Sequence, residues 1–273
     1  MLASLTVVLI ILLLAIGGYR GVITFVSLFF NIAVLSISII LMSWGWDPVI
    51  VTFASCLIIA YITLFFQNGR NSKTFASFFA VLAVLLLLFA LSYFMGYGAH
   101  LRGVNEIMKY EEEIARLSPD ISINMAKIAV SMIITGLIGA AMDASIAVSS
   151  AVYEVYNNNR NLSLADLFMS GIHIGGDILG ATVNTLYFAC LGESLTLFIL
   201  FRNYHYSVLE VINSKAFCQE FADIVISCIS CILVIPLTAF AISYILKNLN
   251  RFEKYLPDDD LFIELDELRE GKH

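Results

Sequence analysis

The chain has 273 residues, 60% of them hydrophobic and only 14% charged, with a mean hydropathy of +0.88 and a formal net charge of −7. An apolar share well above the roughly 45–50% of soluble domains excludes an ordinary soluble fold and makes the lipid bilayer the first partner to consider. The acidic balance excludes nucleic acid as a partner, and it resides mostly in two segments, YEEEIARLSPD at 110–120 and the terminal LPDDDLFIELDELREGKH.

Apolar stretches near the ~20 residues needed to cross a ~30 Å hydrocarbon core recur along the chain. The first, near 2–18, has no basic segment before it and no A-x-A-like cleavage site after it, so it is expected to be a retained span rather than a signal peptide. Spans near 22–42, 48–66 and 75–98 follow, separated by Tyr19-Arg20-Gly21, by Trp44-Gly45-Trp46-Asp47 and by the polar run 67–73. Pro48 suits the first turn of a helix, where its missing N–H costs nothing. A fifth span near 125–153 becomes more polar in its second half. Ser163 and Asp166 then mark the start of a short amphipathic helix after Leu162. The sixth and seventh spans lie near 178–201 and 224–246.

Backbone groups in lipid must bond within their own segment, and these runs are too long for barrel strands. The expected fold class is therefore all-α: a polytopic transmembrane helical bundle of about seven spans over 1–250, followed by an acidic cytoplasmic tail at 251–273. The positive-inside rule places Arg20, Arg70, Lys73, Arg160, Lys247, Arg251 and Lys254 inside if the N-terminus is outside, against Arg102, Lys109, Arg116, Lys127, Arg202 and Lys215 on the other face. That excess is small, but it favours an external N-terminus and a cytoplasmic C-terminus. In the tail, Leu261, Phe262, Leu265 and Leu268 recur roughly as one helix face that could dock on a partner; solvation of the whole segment is the plainer reading. Cys228 and Cys231 form a C-x-x-C inside the seventh apolar span, where small buried fillers fit better than redox chemistry.

Two segments carry too much polarity for their depth. In SGIHIGGDILGATVNTL, His173, Asp177, Gly180 and Asn184 follow one another at steps of four, three and four, which aligns them on one helix face. Gly171 with Gly175, and Gly176 with Gly180, are small-xxx-small pairs that permit close helix approach. In the fifth span Gly136, Ala140, Asp143, Ala147, Ser150 and Glu154 recur with the same spacing. An ionised side chain at the bilayer centre costs about 2.5–3.5 kcal/mol on insertion scales, so Asp143 and Asp177 are expected to face each other or a shared polar cavity. Two alternatives remain open: Asp177 capping the sixth helix, and Asp143 lying near an interface. His173 reads as an interfacial hydrogen-bonding residue and Asn184 as a helix-to-helix bonding group. H-E-x-x-H is absent, so no metal is assigned, and without a G-x-x-x-x-G-K-[ST] loop no nucleotide or other cofactor is called for.

At these positions the chain resembles the YibE/F-like bacterial membrane proteins. GAAMDASIAVSSAVYEV is similar to their alanine-rich G-A-x-x-D segment ending in an aromatic-Glu dipeptide. SGIHIGGDILGATVNTL is similar to their S-G-x-x-I-G-x-D-I-x-G-x-x-x-N-T-L segment, and ILVIPLTAFAISYIL adds a third likeness. The resemblance picks out Gly139, Asp143, Ser149, Glu154, Ser170, Gly171, Gly175, Asp177, Gly180, Asn184 and Thr185. It departs at Gly176, where the family tends to carry a bulkier polar or basic residue, so Asp177 lacks an adjacent charge partner. What it implies is a multi-pass protein of a bacterial cytoplasmic membrane with the general character of transport proteins, working as a homo-oligomer or with a related membrane protein.

Two function classes follow. A transport or export component would use His173, Asp177 and Asn184 with Asp143, Ser150 and Glu154 as a binding surface or ion pathway, and Gly136, Gly139, Gly171, Gly175, Gly176 and Gly180 for helix packing. An intramembrane aspartyl protease would use Asp143 and Asp177 as a dyad, with Pro236 in the last span. Ile174 stands where the protease pattern expects glycine, and Met142 where it expects tyrosine, so transport is the preferred expectation. A non-transporting assembly or signalling subunit is the third possibility, and it carries no sequence signature of its own.

Overall fold

A computed structural model describes residues 2–98 and 125–252, and its regular structure over these residues is entirely helical. In chain order the elements are α1 (Leu2–Ser43), α2 (Pro48–Tyr61) running into a π-helical turn (Ile62–Phe66), α3 (Ser72–Gly98) and α4 (Met125–Asn158). Then come α5 (Leu164–Asn203), the short α6 (Val208–Asn213), α7 (Lys215–Lys247) and a last turn, α8 (Leu249–Phe252). The acidic segment 110–120 and the tail from 253 onward, with Leu261, Phe262, Leu265 and Leu268, lie outside the described residues.

Among the described residues, six helices are long and apolar enough to span a membrane. α1 counts once among them although its 42 residues would extend about 60 Å, twice the hydrocarbon thickness. It is interrupted at Gly18, whose backbone (φ 51°, ψ −131°) is outside the helical region and inside the range that favours glycine. The reversal is sharp enough that a Cβ on Gly21 would overlap the Leu13 carbonyl. α1 therefore consists of two stretches divided at the expected boundary between the first and second spans.

Local chemistry fixes the other helix starts. Asp47 caps α2 by accepting from the Val49 amide at 3.1 Å, with Pro48 in the first turn. Ser163 and Asp166 form a reciprocal capping box at the start of α5. The helix they begin is not short, however. It continues for 40 residues through Asp177 to Asn203, so the amphipathic segment and the sixth span are one rod, and Asp177 is an interior residue rather than a cap. α7 likewise starts well before 224, at Lys215, capped by Ser214.

α4 is the centre of the bundle and touches α2, α3, α5 and α7; α1 lies outside, against α2 and the π-helical turn. The core fills with Leu85, Leu88, Ile133, Ile134, Leu137, Val148, Ile226 and Ile242, all at most 2% exposed. Hydroxyls cross this core in pairs: Ser77 to Ser149 at 2.9 Å joins α3 to α4, and Ser145 to Thr238 at 2.8 Å joins α4 to α7. Lys247 Nζ donates to the Arg160 carbonyl and Gln219 reaches the Met132 sulfur, so α4 and α7 run parallel. α5 is antiparallel to both, because Gly171 lies beside Ala239 and Gly175 beside Ile235.

Those two glycines are the tightest contacts of α5. A Cβ on Gly171 would stand 2.7 Å from that of Ala239, and one on Gly175 would overlap Ile235 Cγ2. Gly176 and Gly180 face open space among the described residues. Gly175→Leu should therefore lower stability by about 1–3 kcal/mol through overpacking, whereas Gly176→Leu should leave the thermal midpoint of the isolated chain in detergent unchanged. Equal midpoints for both variants would contradict the packing described.

At the end of the bundle away from Arg160 and Lys247, Lys127 forms an ion pair with Asp47. The Lys127 ammonium, helped by the Val49 amide, holds the Asp47 carboxyl below its ordinary range. A depressed carboxyl contributes stability above its unfolded value and loses it as the pH falls through the folded one. Wild type should thus lose about 0.2–1 kcal/mol relative to Asp47→Asn as the pH drops below about 4, because Asn keeps the cap but carries no charge to lose. Melting curves of the two proteins from pH 7 to pH 3 should converge; parallel curves would show that the pair contributes nothing.

Candidate functional site

α4 presents two faces of opposite character. One is buried and includes Ile133, Leu137, Ala144, Val148 and Val152. The other carries Gly136, exposed; Ala140, 9% exposed; Asp143, exposed; Ala147 and Ser150, half-buried; and Glu154, exposed. Asp143 stands near the middle of the helix. α5 divides in the same way. Leu167, Gly171 and Gly175 are buried, while His173, Gly176, Asp177, Gly180, Asn184 and Thr185 are exposed along the opposite side.

The antiparallel register relates the two aspartates. Equal lengths of helix, about 14 Å, lead from Val152 back along α4 to Asp143 and from Gly171 forward along α5 to Gly180. Asp143 and Asp177 therefore lie within about one helical turn of a common depth. Among the described residues, neither has a hydrogen-bond or ion-pair partner, nor do His173 and Asn184. Their hydroxyl neighbours behave differently: Ser170, Thr182 and Thr185 each donate to the carbonyl four residues earlier on α5, at 2.8, 3.0 and 3.0 Å, and so arrive already satisfied.

A cavity of about 530 Å³ opens between α1, the 67–74 segment and α4. Ser150 and Ile146 form its α4 wall, Tyr19, Arg20, Ile23 and Thr24 the α1 wall, and Gln67, Asn68, Asn71, Lys73 and Thr74 the remainder. Its frame is well tied. Gln67 Nε2 donates to Thr24 Oγ1 at 3.3 Å, and Thr74 donates its hydroxyl to the Gly69 carbonyl at 2.8 Å. Asn71 Oδ1 accepts from the Thr74 amide at 3.0 Å, and Lys73 Nζ sits 4.4 Å from the centre of the Tyr153 ring. Ser150 is the one predicted site residue on this cavity; Asp143 and Asp177 are not among its lining.

Several of the residues that build these surfaces carried no site signal in the sequence. Arg20 and Lys73 served there only to orient the chain, and their convergence depends on the reversal at Gly18 and on the turn before α3. Ser77, Ser145 and Thr238, all fully buried, are indistinguishable in sequence from hydroxyls that bond to their own helix. Asp223, half-buried on α7, has its carboxylate 3.3 Å from where a Cβ on Gly136 would stand, which accounts for a glycine at that place on α4. Of the C-x-x-C, Cys231 is buried and Cys228 half-buried, both unbridged.

Nothing among curated proteins or solved structures matches the chain. A family model described as YibE/F-like protein does, over residues 5–248, which takes in every spanning helix, both aspartates and the whole lining of the cavity. The chain belongs to the YibE/F-like family.

Proposed function

We propose that this protein is a subunit of a transport or export assembly in a bacterial cytoplasmic membrane, with the Asp143 face of α4 and the Asp177 face of α5 lining an ion or substrate pathway. The observation that carries this reading is the unpartnered Asp143, half way along the most central helix of the bundle, on the same face as Ser150, which borders a polar cavity. A structural carboxylate at that depth is expected to have a partner; one that works must be able to gain and lose a proton or an ion. Asp177, at nearly the same depth on the antiparallel neighbour, supplies a second such group. The N-terminus lies outside and the acidic tail in the cytoplasm, as the basic residues at the Arg20, Lys73, Arg160 and Lys247 end favour.

Asparagine retains the shape of aspartate without its charge. In proteoliposomes holding a proton or sodium gradient, Asp143→Asn and Asp177→Asn should each reduce ion flux at least tenfold while expressing and remaining monodisperse as wild type does. Asp258→Asn and Asp259→Asn in the tail should be nearly neutral. Wild-type flux in both membrane variants would remove the mechanism.

The same face argues for assembly. His173, Asp177 and Asn184 with Gly176 and Gly180 make an outward strip too polar for lipid and flat enough for another helix, so a second copy or a related membrane protein covers it. Because Gly180 meets none of the described residues, Gly180→Leu should leave the single-chain fold intact and shift the native mass toward the monomer. A monomeric wild type, or an oligomer indifferent to this substitution, would refute the interface.

A further inference from the structure

The cavity at the Arg20 end has a chemistry of its own. Among the described residues two cations line it, Arg20 and Lys73, and no carboxylate does. Among the described residues neither cation is ion-paired; Lys73 is half-buried and rests over the Tyr153 ring, which steers its ammonium without neutralising it. The remaining polar lining includes the hydroxyl of Tyr19 and the side-chain amides of Gln67, Asn68 and Asn71, each of which donates one N–H within the chain and keeps a second. A volume of about 530 Å³ falls within the range of small-molecule sites, about 300–1,000 Å³.

We propose that this cavity is a binding site for a phosphate-bearing anion. Charge decides the class. A phosphate monoester carries about −1.5 to −2 at neutral pH and offers three acceptor oxygens, which matches two cations with amide donors around them. A single carboxylate would leave one cation uncompensated in a partly desolvated place. Arginine suits two phosphate oxygens at once, and lysine adds a point charge. A hydrophobic wall at Ile23 and Ile146 allows the anion to bear an apolar group. A phosphomonoester at the end of a membrane bundle has two sources, a soluble phosphate compound and the headgroup of phosphatidic acid, and both present the same chemistry to Arg20 and Lys73. The assignment does not depend on the transport reading, because binding is measured without flux and neither aspartate lines the cavity.

The test uses the full-length protein in phosphate-free maltoside detergent, titrated calorimetrically with inorganic phosphate and, separately, with short-chain phosphatidic acid. Wild type should bind at least one of these saturably. Arg20→Gln and Lys73→Gln should each weaken that binding at least tenfold, and Arg202→Gln, an exposed cation at the other end, should not change it. Asn71→Asp is the variant that guards against misfolding: Asp caps α3 as Asn does, yet places a carboxylate in the lining, and binding should again fall at least tenfold. Saturable inorganic phosphate binding lost in these three variants identifies a soluble ligand. Binding of phosphatidic acid alone, lost in the same variants, identifies a headgroup, and both results uphold the site. No saturable binding of either probe, or binding equal in wild type and all variants, overturns it.

Discussion

A polar group surrounded by hydrocarbon must find its partner within the protein, and the arrangement of this bundle follows from where that requirement is met. It is met at the junction of α3, α4 and α7, where Ser77 faces Ser149 and Ser145 faces Thr238. Small side chains let the helices approach, and the hydroxyls bond across the gap instead of only back to their own carbonyls. Interhelical bonds of this kind contribute about 0.6 kcal/mol each on average, so their larger effect is to set rotation and register. With α4 held in that rotation, its apolar face fills the core, and Asp143 and Ser150 are turned the other way.

The requirement is left open on the outer side of α5. There the same residue type serves two surfaces a fraction of a turn apart. Gly171 and Gly175 bring α5 against α4 and α7, whereas Gly176 and Gly180 make an equally flat strip with none of the described residues against it. A continuous 40-residue helix carries both strips as one rigid body. Any displacement of α5 relative to α4 would therefore move Asp177 past Asp143 and shift the outer strip by the same amount.

Much of the helical plan was legible because bilayer thickness, hydropathy and capping chemistry act locally. Pro48, Ser163 and Asp166 mark their helix starts, and the expected boundary at 19–21 adjoins the break at Gly18. The continuity of α5 was not legible. Gly171, Gly175, Gly176 and Asp177 depress the hydropathy of its first half, and only packing against Val152, Ile235 and Ala239 makes that half part of the bundle. The alignment of Asp143 with Ser150, and of His173 with Asp177 and Asn184, followed from helical period alone. The cavity did not, because Arg20, Lys73 and Ser150 come from three distant segments, and nothing local announces that they meet.

The π-helical turn at Ile62–Phe66 has a consequence for how this chain tolerates insertion and deletion. A π turn accommodates one residue more than an α-helix would over the same rise. Here it directs Thr63 toward α1, where its hydroxyl accepts from Asn31 at 3.0 Å, and presents the Thr63 carbonyl to Asn68 at 3.1 Å. Loss of a single residue from this turn would restore a regular helix that is no less apolar and no less able to cross a membrane. Because the shortened turn covers the same rise, the residues beyond it would keep their place, with Gln67, Asn68 and Asn71 still beside Thr24 and Arg20, and only the contacts of Thr63 with Asn31 and Asn68 would change. The turn thus buffers the polar chamber against the loss of one residue here, whereas a deletion in the regular helix of α2 before it would turn that end by about 100°.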